Sequence, residues 1–213
     1  MTHLLYQSLL ETLAMVFASL LLGIAGGLPL GVFLFNKSPQ GLTPSRPSFE
    51  SAGFFINALR SIPYIILTVL FIPLSRTLLG TSIGTTAAIL PLAISAILLT
   101  TKVVEDALRA TPKEMSEMGL SLGATQRQII TRILIPEALP NIIRGLTLVT
   151  ISLIGFSAMA GAVGGGGLGD VAIRYGYQRY NTDVLLMVVA LLIVLVQVTQ
   201  WTGDELFKKC NRK

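Results

Sequence analysis

The stretch Glu117–Pro136, EMGLSLGATQRQIITRILIP, decides how this chain is read. It lies between apolar runs too long for an ordinary soluble core, so it is a connector between membrane spans that has kept an ordered sequence of its own. Just upstream, Thr111-Pro112-Lys113-Glu114 presents a cap residue, a proline at the first helical position and a carboxylate three residues after the cap, which predicts a helix start. Met115, Met118 and Leu122 then share one face. Gly123 permits a backbone turn that a side chain resists, and Thr125-Gln126-Arg127-Gln128 repeats the capping pattern with Gln in third place. A second helix follows, with Ile129, Ile130, Ile133 and Leu134 on one side. Pro136 is expected to close it by removing a donor and disfavouring helical geometry at Ile135. Residues 111–136 thus read as two short helices joined by a glycine turn, a surface suited to docking.

Composition fixes the class around this connector. Of 213 residues, 52% are hydrophobic and only 13% are charged, the balance of an integral membrane protein. Uncharged stretches long enough to cross roughly 30 Å of hydrocarbon run from Thr12 to Asn36, Thr77 to Thr101, Gly145 to Gly169 and Val184 to Gly203. A further span is read between Ser51 and Ser75, interrupted by Arg60. The expected fold is all-α: one transmembrane domain over 1–213, with five membrane helices and the helix pair of the connector between the third and fourth.

An odd number of spans puts the termini on opposite sides, and the basic residues orient them. The tail carries Lys208, Lys209, Arg212 and Lys213, while nothing basic precedes the first span, so the C-terminus is expected in the cytoplasm and the N-terminus outside. Lys37, Arg46, Lys102, Arg109, Lys113, Arg127 and Arg132 then also fall inside; only Arg76, Arg174 and Arg179 fall outside. Topology accounts for the +5 charge, with no call for nucleic acid, and a basic tail can also contact anionic lipid. The first apolar segment lacks the basic flank and cleavage site of a secretory signal and stays a span. Cys210 is the only cysteine, so no intrachain disulfide can form.

Smaller signals follow in chain order. Gly23 and Gly27 form a G-x-x-x-G pair that lets two backbones approach, within the chain or across a dimer. Residues Asn36 to Pro47 read as a turn segment. Arg60, in Asn57-Ala58-Leu59-Arg60-Ser61-Ile62-Pro63, either snorkels to the interface, the cheaper explanation, or finds carbonyls or a carboxylate within the bundle. Pro63 and Pro73 are expected to bend this helix. Lys102, Glu105, Asp106 and Arg109 leave the third span at helical spacing, as pairs on a wet face. The fourth span ends in GFSAMAGAVGGGGLG, Gly155–Gly169, where Gly161, Gly164, Gly165, Gly166, Gly167 and Gly169 suggest a compliant segment on the external side. Met159, the one long flexible side chain there, either fills space between helices or meets a second copy as a movable plug.

The spacing of the connector resembles the EAA signature of bacterial ABC importer permeases: Glu117 with two following residues, Gly123 after three more, and Ile133-Leu134-Ile135-Pro136 after nine. Met118 and Gly119 replace two alanines and Ile135 a leucine. The sequences RSIPYIIL from Arg60, GTSIG from Gly80, and the tract from Gly155 through Asp170 to Asn181 resemble the methionine-type branch. The resemblance implies that Glu117, Gly123, Ala124, Ile133 and Pro136 belong to the element that docks on a cytoplasmic ATPase. It further implies a homodimer in the bacterial inner membrane, two ATPase copies that bind ATP and Mg, a periplasmic substrate-binding lipoprotein, and import of methionine, L- and D-, by alternating access. Another amino acid or a small osmolyte remains open as the solute.

Other chemistries find no support in the residues. No G-x-x-x-x-G-K phosphate loop exists, and Gly164, Gly166 and Gly169 satisfy G-x-G-x-x-G without a preceding strand, so this chain is expected to bind neither nucleotide nor other cofactor. His3 is the only histidine and sits at the N-terminus, leaving no His-based catalytic or metal cluster. A proton-coupled carrier or intramembrane enzyme lacks its mid-span acid, and a passive scaffold does not explain the ordered connector. The chain is expected to be non-catalytic, with its energy supplied from outside.

Overall fold

The computed structural model describes residues 2–211 and consists of helices and turns. Arg212 and Lys213 of the basic tail lie outside the described residues. The helices are α1 (Thr2–Lys37), α2 (Arg46–Arg60), α3 (Tyr64–Leu79), α4 (Thr85–Arg109), α5 (Lys113–Ser121), α6 (Gln126–Gln128), α7 (Ile135–Ala162), α8 (Gly167–Val171) and α9 (Thr182–Cys210). Among the described residues four helical stretches are long and apolar enough to cross a membrane, and the pair α2 and α3 makes a fifth if taken together.

That pair corrects the expected second span. It is not one bent helix but two, at 98° to each other. The break falls at Ser61–Pro63, where the proline lacks a donor and bars helical geometry at Ile62; Pro73, by contrast, sits inside α3. Arg60 therefore ends α2 instead of interrupting a span. Ile56, one turn earlier, clusters with Leu98 midway along α4 and with Leu34 near the end of α1, and Arg60 is exposed. The fourth apolar stretch is also shorter than read: α7 stops at Ala162, and the glycines beyond turn the chain back.

Packing centres on α1 against α4, and small residues decide how close they come. Gly23, Gly27 and Gly31 form a stripe one turn apart; a Cβ on them would stand 2.6 Å from the Ala96 Cβ, the Thr100 Cβ and the Thr101 carbonyl oxygen. The partner of the G-x-x-x-G pair is thus within the chain, where close backbones gain dispersion contacts that apolar burial alone does not supply in lipid. Gly145 against Val103 and Gly203 against Thr147 repeat the device between α4 and α7 and between α7 and α9. Fully buried Met15, Leu92 and Leu153 fill the middle of the bundle, and Phe35, Val104, Leu108, Ile129, Leu134 and Ala138 fill the end next to the connector.

At that connector end the charges of α4 pair at the expected i,i+3 and i,i+4 spacings, but one of them, Glu105, is not on a wet face. Glu105 is 1% exposed, and Lys102 Nζ lies 3.0 Å and Arg109 Nη2 2.9 Å from its two oxygens. Only the first contact is aligned as a hydrogen bond. Val104 and Leu108 carry the flank of the helix inward, and Glu105 follows them beneath the two cationic side chains. Arg109 also covers the Phe49 ring of α2 at 5.0 Å.

Candidate functional site

The connector is two helical pieces with opposite roles. Its first piece, α5, starts one residue later than the capping pattern predicts. Thr111 does not cap it; its hydroxyl donates to the Leu108 carbonyl at 2.6 Å and closes α4, leaving Pro112 at the cap position of α5. The expectation failed because the same short side chain can serve either the helix before it or the helix after it.

The far end of α5 is closed by a paired set of backbone bonds. Ala124 N–H donates to the Gly119 carbonyl and Gly123 N–H to that of Leu120, each at 3.0 Å, a Schellman closure with Gly123 at φ +76°. Nothing stands within 4 Å of where a Gly123 Cβ would be, so backbone conformation and not space selects glycine. Gly119 is glycine for the other reason. It is buried, and a Cβ there would press at 3.0 Å on both Ile129 and Ile133, which lets α5 lie directly on the next helical piece.

That second piece begins as expected. The Thr125 amide donates to Gln128 Oε1 at 2.8 Å, and the Gln128 amide donates back to Thr125 Oγ1 at 3.4 Å, a reciprocal capping box. It does not end at Pro136. Residues Ile129–Leu134 form a widened π-helical turn, and Ile135 N–H reaches the Ile130 carbonyl five residues back. The widened turn accommodates a residue without a donor, so the helix runs unbroken from Gln126 to Ala162. The connector is continuous with the membrane helix that follows it.

Burial separates what holds from what is offered. Ile129 and Leu134 are completely buried between Phe35 of α1 and Leu108 of α4, with Ala124 and Ile133 packed against them. In contrast Met118, Leu120 and Leu122 are 56%, 53% and 80% exposed. Glu117 is exposed beside them and, with Lys113, Ser116 and Leu120, lines a groove of about 230 Å³ whose other wall is Pro39–Leu42. The first loop, read from sequence only as a turn, is therefore part of the site; Gly41, seated against the Phe35 and Asn36 carbonyls, was the available signal.

The remaining predicted residues lie at the other end of the bundle. Met159 is on α7, 48% exposed. The glycines after it are closely set in this state: a Cβ on Gly161 would meet the Asp170 amide, one on Gly169 the Ala158 carbonyl, and Gly164, Gly166 and Gly167 have φ of +89°, +77° and +73°. The Gly84 amide donates to the Gly164 carbonyl at 2.9 Å, tying the turn before α4 to the same place. Neither Met159 nor these glycines touch the connector. Among the described residues no group of three or more His, Cys, Asp or Glu is placed to hold a metal ion.

Met118, Leu120 and Leu122 thus form an exposed apolar ridge on a helix pair rooted in the bundle core by Ile129 and Leu134. Residues 27–204 match the family of binding-protein-dependent transport system inner membrane components. The chain belongs to that family. Among curated relatives it is 45% identical over 203 residues to a probable D-methionine transport system permease protein of Vibrio cholerae, covering 95% of this chain and 90% of that one. The D-methionine transport system permease protein of Escherichia coli strain K12 is 42% identical over 161 residues, 76% of this chain and 74% of the relative. A solved inward-facing structure of the MetNI methionine ABC transporter superposes with a TM-score of 0.97 at 42% identity, over 100% of this chain and 98% of that one. An amino acid ABC transporter solved with histidines, at 23% identity and TM-score 0.79, shares the fold.

Proposed function

We propose that this chain is the membrane-spanning subunit of an ATP-driven importer that passes methionine, in both stereoisomers, into the cytoplasm. The observation that carries the mechanism is the contrast within the connector: Met118, Leu120 and Leu122 stand free while Ile129 and Leu134 are locked between α1 and α4. A partner that moves the exposed ridge moves the ends of three membrane helices with it. The solute rests on the curated relatives, named for D-methionine transport, and on the solved methionine transporter. Another amino acid or a small osmolyte has no such support.

In this reading residues 1–213 form one transmembrane domain of a homodimer in the bacterial inner membrane, with the connector and C-terminus in the cytoplasm and the N-terminus outside. Two copies of a separate ATPase dock on Glu117, Gly123, Ala124 and their neighbours, with Ile133 and Pro136 carrying the motion into α7. ATP and Mg stay on the ATPase, and a periplasmic binding protein delivers the solute. Closure of the ATPases shifts the paired chains between inward-open and outward-open populations, because the docked connectors make different contacts in the two. Met159 and its partner copy plug the path, and the turn from Gly161 to Gly169 is the pivot at the outer end. Lipid surrounds the assembly and no nucleic acid takes part.

The test is reconstitution in sealed vesicles with the ATPase and binding protein, following labelled L- and D-methionine against other amino acids and osmolytes. Uptake that depends on ATP and prefers methionine is expected. Uptake preferring another solute, or assembly without an ATPase, refutes the reading.

A further inference from the structure

The elbow between α2 and α3 presents two helix ends of opposite polarity beside Ser95 and Leu98 of α4. At the start of α3, Ile66 and Leu67 donate to the Pro63 carbonyl at 2.9 and 3.0 Å, while no side chain caps the amides that begin the helix. At the end of α2 the last carbonyls form the negative end of its dipole. Broken helices are costly in a membrane unless they line protein or a cavity, and their ends are suited to holding charged solutes.

A cavity of about 450 Å³ lies at this elbow, within the roughly 300–1,000 Å³ of small-molecule sites. Asn57, Arg60 and Ser61 give one side of it, and Leu98, Leu99 and Phe156 the other. Arg60 has no ion-pair partner among the described residues. Tyr64 is 6% exposed, its ring stacked on Phe156 with centroids 4.6 Å apart, and its hydroxyl finds no hydrogen-bond partner. Buried polar groups are almost always satisfied, which leaves the Tyr64 hydroxyl short of a partner, and the exposed Arg60 guanidinium on the same wall is free to take an anion.

We propose that this elbow cavity is a way-station for the solute, binding an amino acid with an unbranched apolar side chain as its zwitterion. The carboxylate pairs with the Arg60 guanidinium and the open amides of α3. The ammonium faces the negative end of the α2 dipole, whose Asn57, Ala58 and Leu59 carbonyls already accept from Ser61 and Ile62, and donates to the Tyr64 hydroxyl. The side chain lies against Leu98, Leu99 and the edge of Phe156, where a thioether makes favourable contact with an aromatic ring. The assignment rests on the import of such an amino acid.

The test uses the full transporter reconstituted without nucleotide, with Cys210→Ser and Ser61→Cys giving each copy of this chain a single thiol, at the cavity wall, whose labelling by a water-soluble maleimide is read on this chain alone. Methionine at about ten times its Kd is expected to slow labelling about tenfold, because only the empty fraction reacts. Methioninol, which lacks the carboxylate, is expected not to protect at that concentration, and Arg60→Gln is expected to abolish protection by methionine. Equal protection by methioninol, protection that survives Arg60→Gln, or labelling blind to methionine overturns the proposal; the methioninol arm needs no change at Arg60 and so does not depend on that variant folding. Wild-type uptake, measured in parallel, separates the two failures. If methionine is imported but labelling ignores it, the site fails alone; if methionine is not imported, the functional reading and the site fail together.

Discussion

The carboxylate of Glu11, near the start of α1, accepts a hydrogen bond at 2.8 Å from the amide of Gly167, 156 residues later in the chain. Thr12 does the same for Leu168 at 2.9 Å, so adjacent residues on α1 clasp adjacent amides of the glycine turn. A hydrogen bond to a charged acceptor contributes about 1.5–3 kcal/mol, more than a neutral one. Glu11→Ala should therefore lower unfolding stability of the detergent-solubilised chain by about 1.5–3 kcal/mol, and Glu11→Gln, which keeps an acceptor oxygen, by about half as much or less. Thermal unfolding of the two variants checks the order; equal losses would mean that a neutral acceptor oxygen recovers none of the stabilisation, and no loss in Glu11→Gln would mean that the charge contributes nothing.

The α1–α4 seam makes a second prediction. A side chain at Gly27 would enter space held by Thr100 and the Ile97 carbonyl, neither of which can rotate away. Gly27→Val is expected to cost about 1–3 kcal/mol through overpacking and to spread the two helices, whereas the same change at Gly155, where nothing lies within 4 Å, should cost little. Paired-cysteine crosslinking between α1 and α4 reports the spreading.

The buried carboxylate of Glu105 holds Lys102 and Arg109 at the connector end. Glu105→Ala leaves Lys102 and Arg109, each 31% exposed, able to turn to solvent, with Lys102 still 3.1 Å from Asp106, so the loss is that of charge-assisted contacts, about 1.5–3 kcal/mol. Asp106→Ala, whose side chain is 58% exposed, should stay within about 1 kcal/mol. Denaturation in detergent distinguishes them.

These cases show where the sequence was legible. Uncharged length located four of the membrane helices though not their ends, and Thr125 with Gln128 announced its own capping box because both partners are local. What escaped depended on distant neighbours. Glu105 has the spacing of a solvated charge and is buried only because Val104 and Leu108 turn that flank toward α1 and α7. Pro136 carries the ordinary mark of a helix end, and only the widened turn before it lets the helix continue. Pro39–Leu42 carry no docking motif of their own and join the site only because the chain folds them against Glu117.

Gly123 separates backbone conformation from bulk. Because the position is open and needs only positive φ, an L-residue costs about 1–2 kcal/mol there, and Asn less than a β-branched residue. Gly123→Asn is expected to keep most ATP-driven uptake, whereas Gly123→Val and Gly123→Trp lose it while the protein still inserts. Uptake and ATPase copurification measured side by side check this; normal transport by Gly123→Val would rule out the turn as part of the docking face.

Met159 tests the plug. It stands 48% exposed on α7, three residues beyond Phe156, and the proposed plug sets it against the same residue of a second copy. Flexible unbranched side chains close a narrow gap yet move aside at little cost, which suits a barrier that must open on every cycle. Met159→Ala removes the flexible part and leaves the helix intact, since alanine is the strongest helix former. Sealed vesicles carrying the variant should leak methionine without ATP several times faster than wild type, while Met159→Leu, which keeps the volume, should stay near the wild-type rate. If both variants leak alike, or neither does, Met159 is packing between helices and the barrier lies elsewhere on the path.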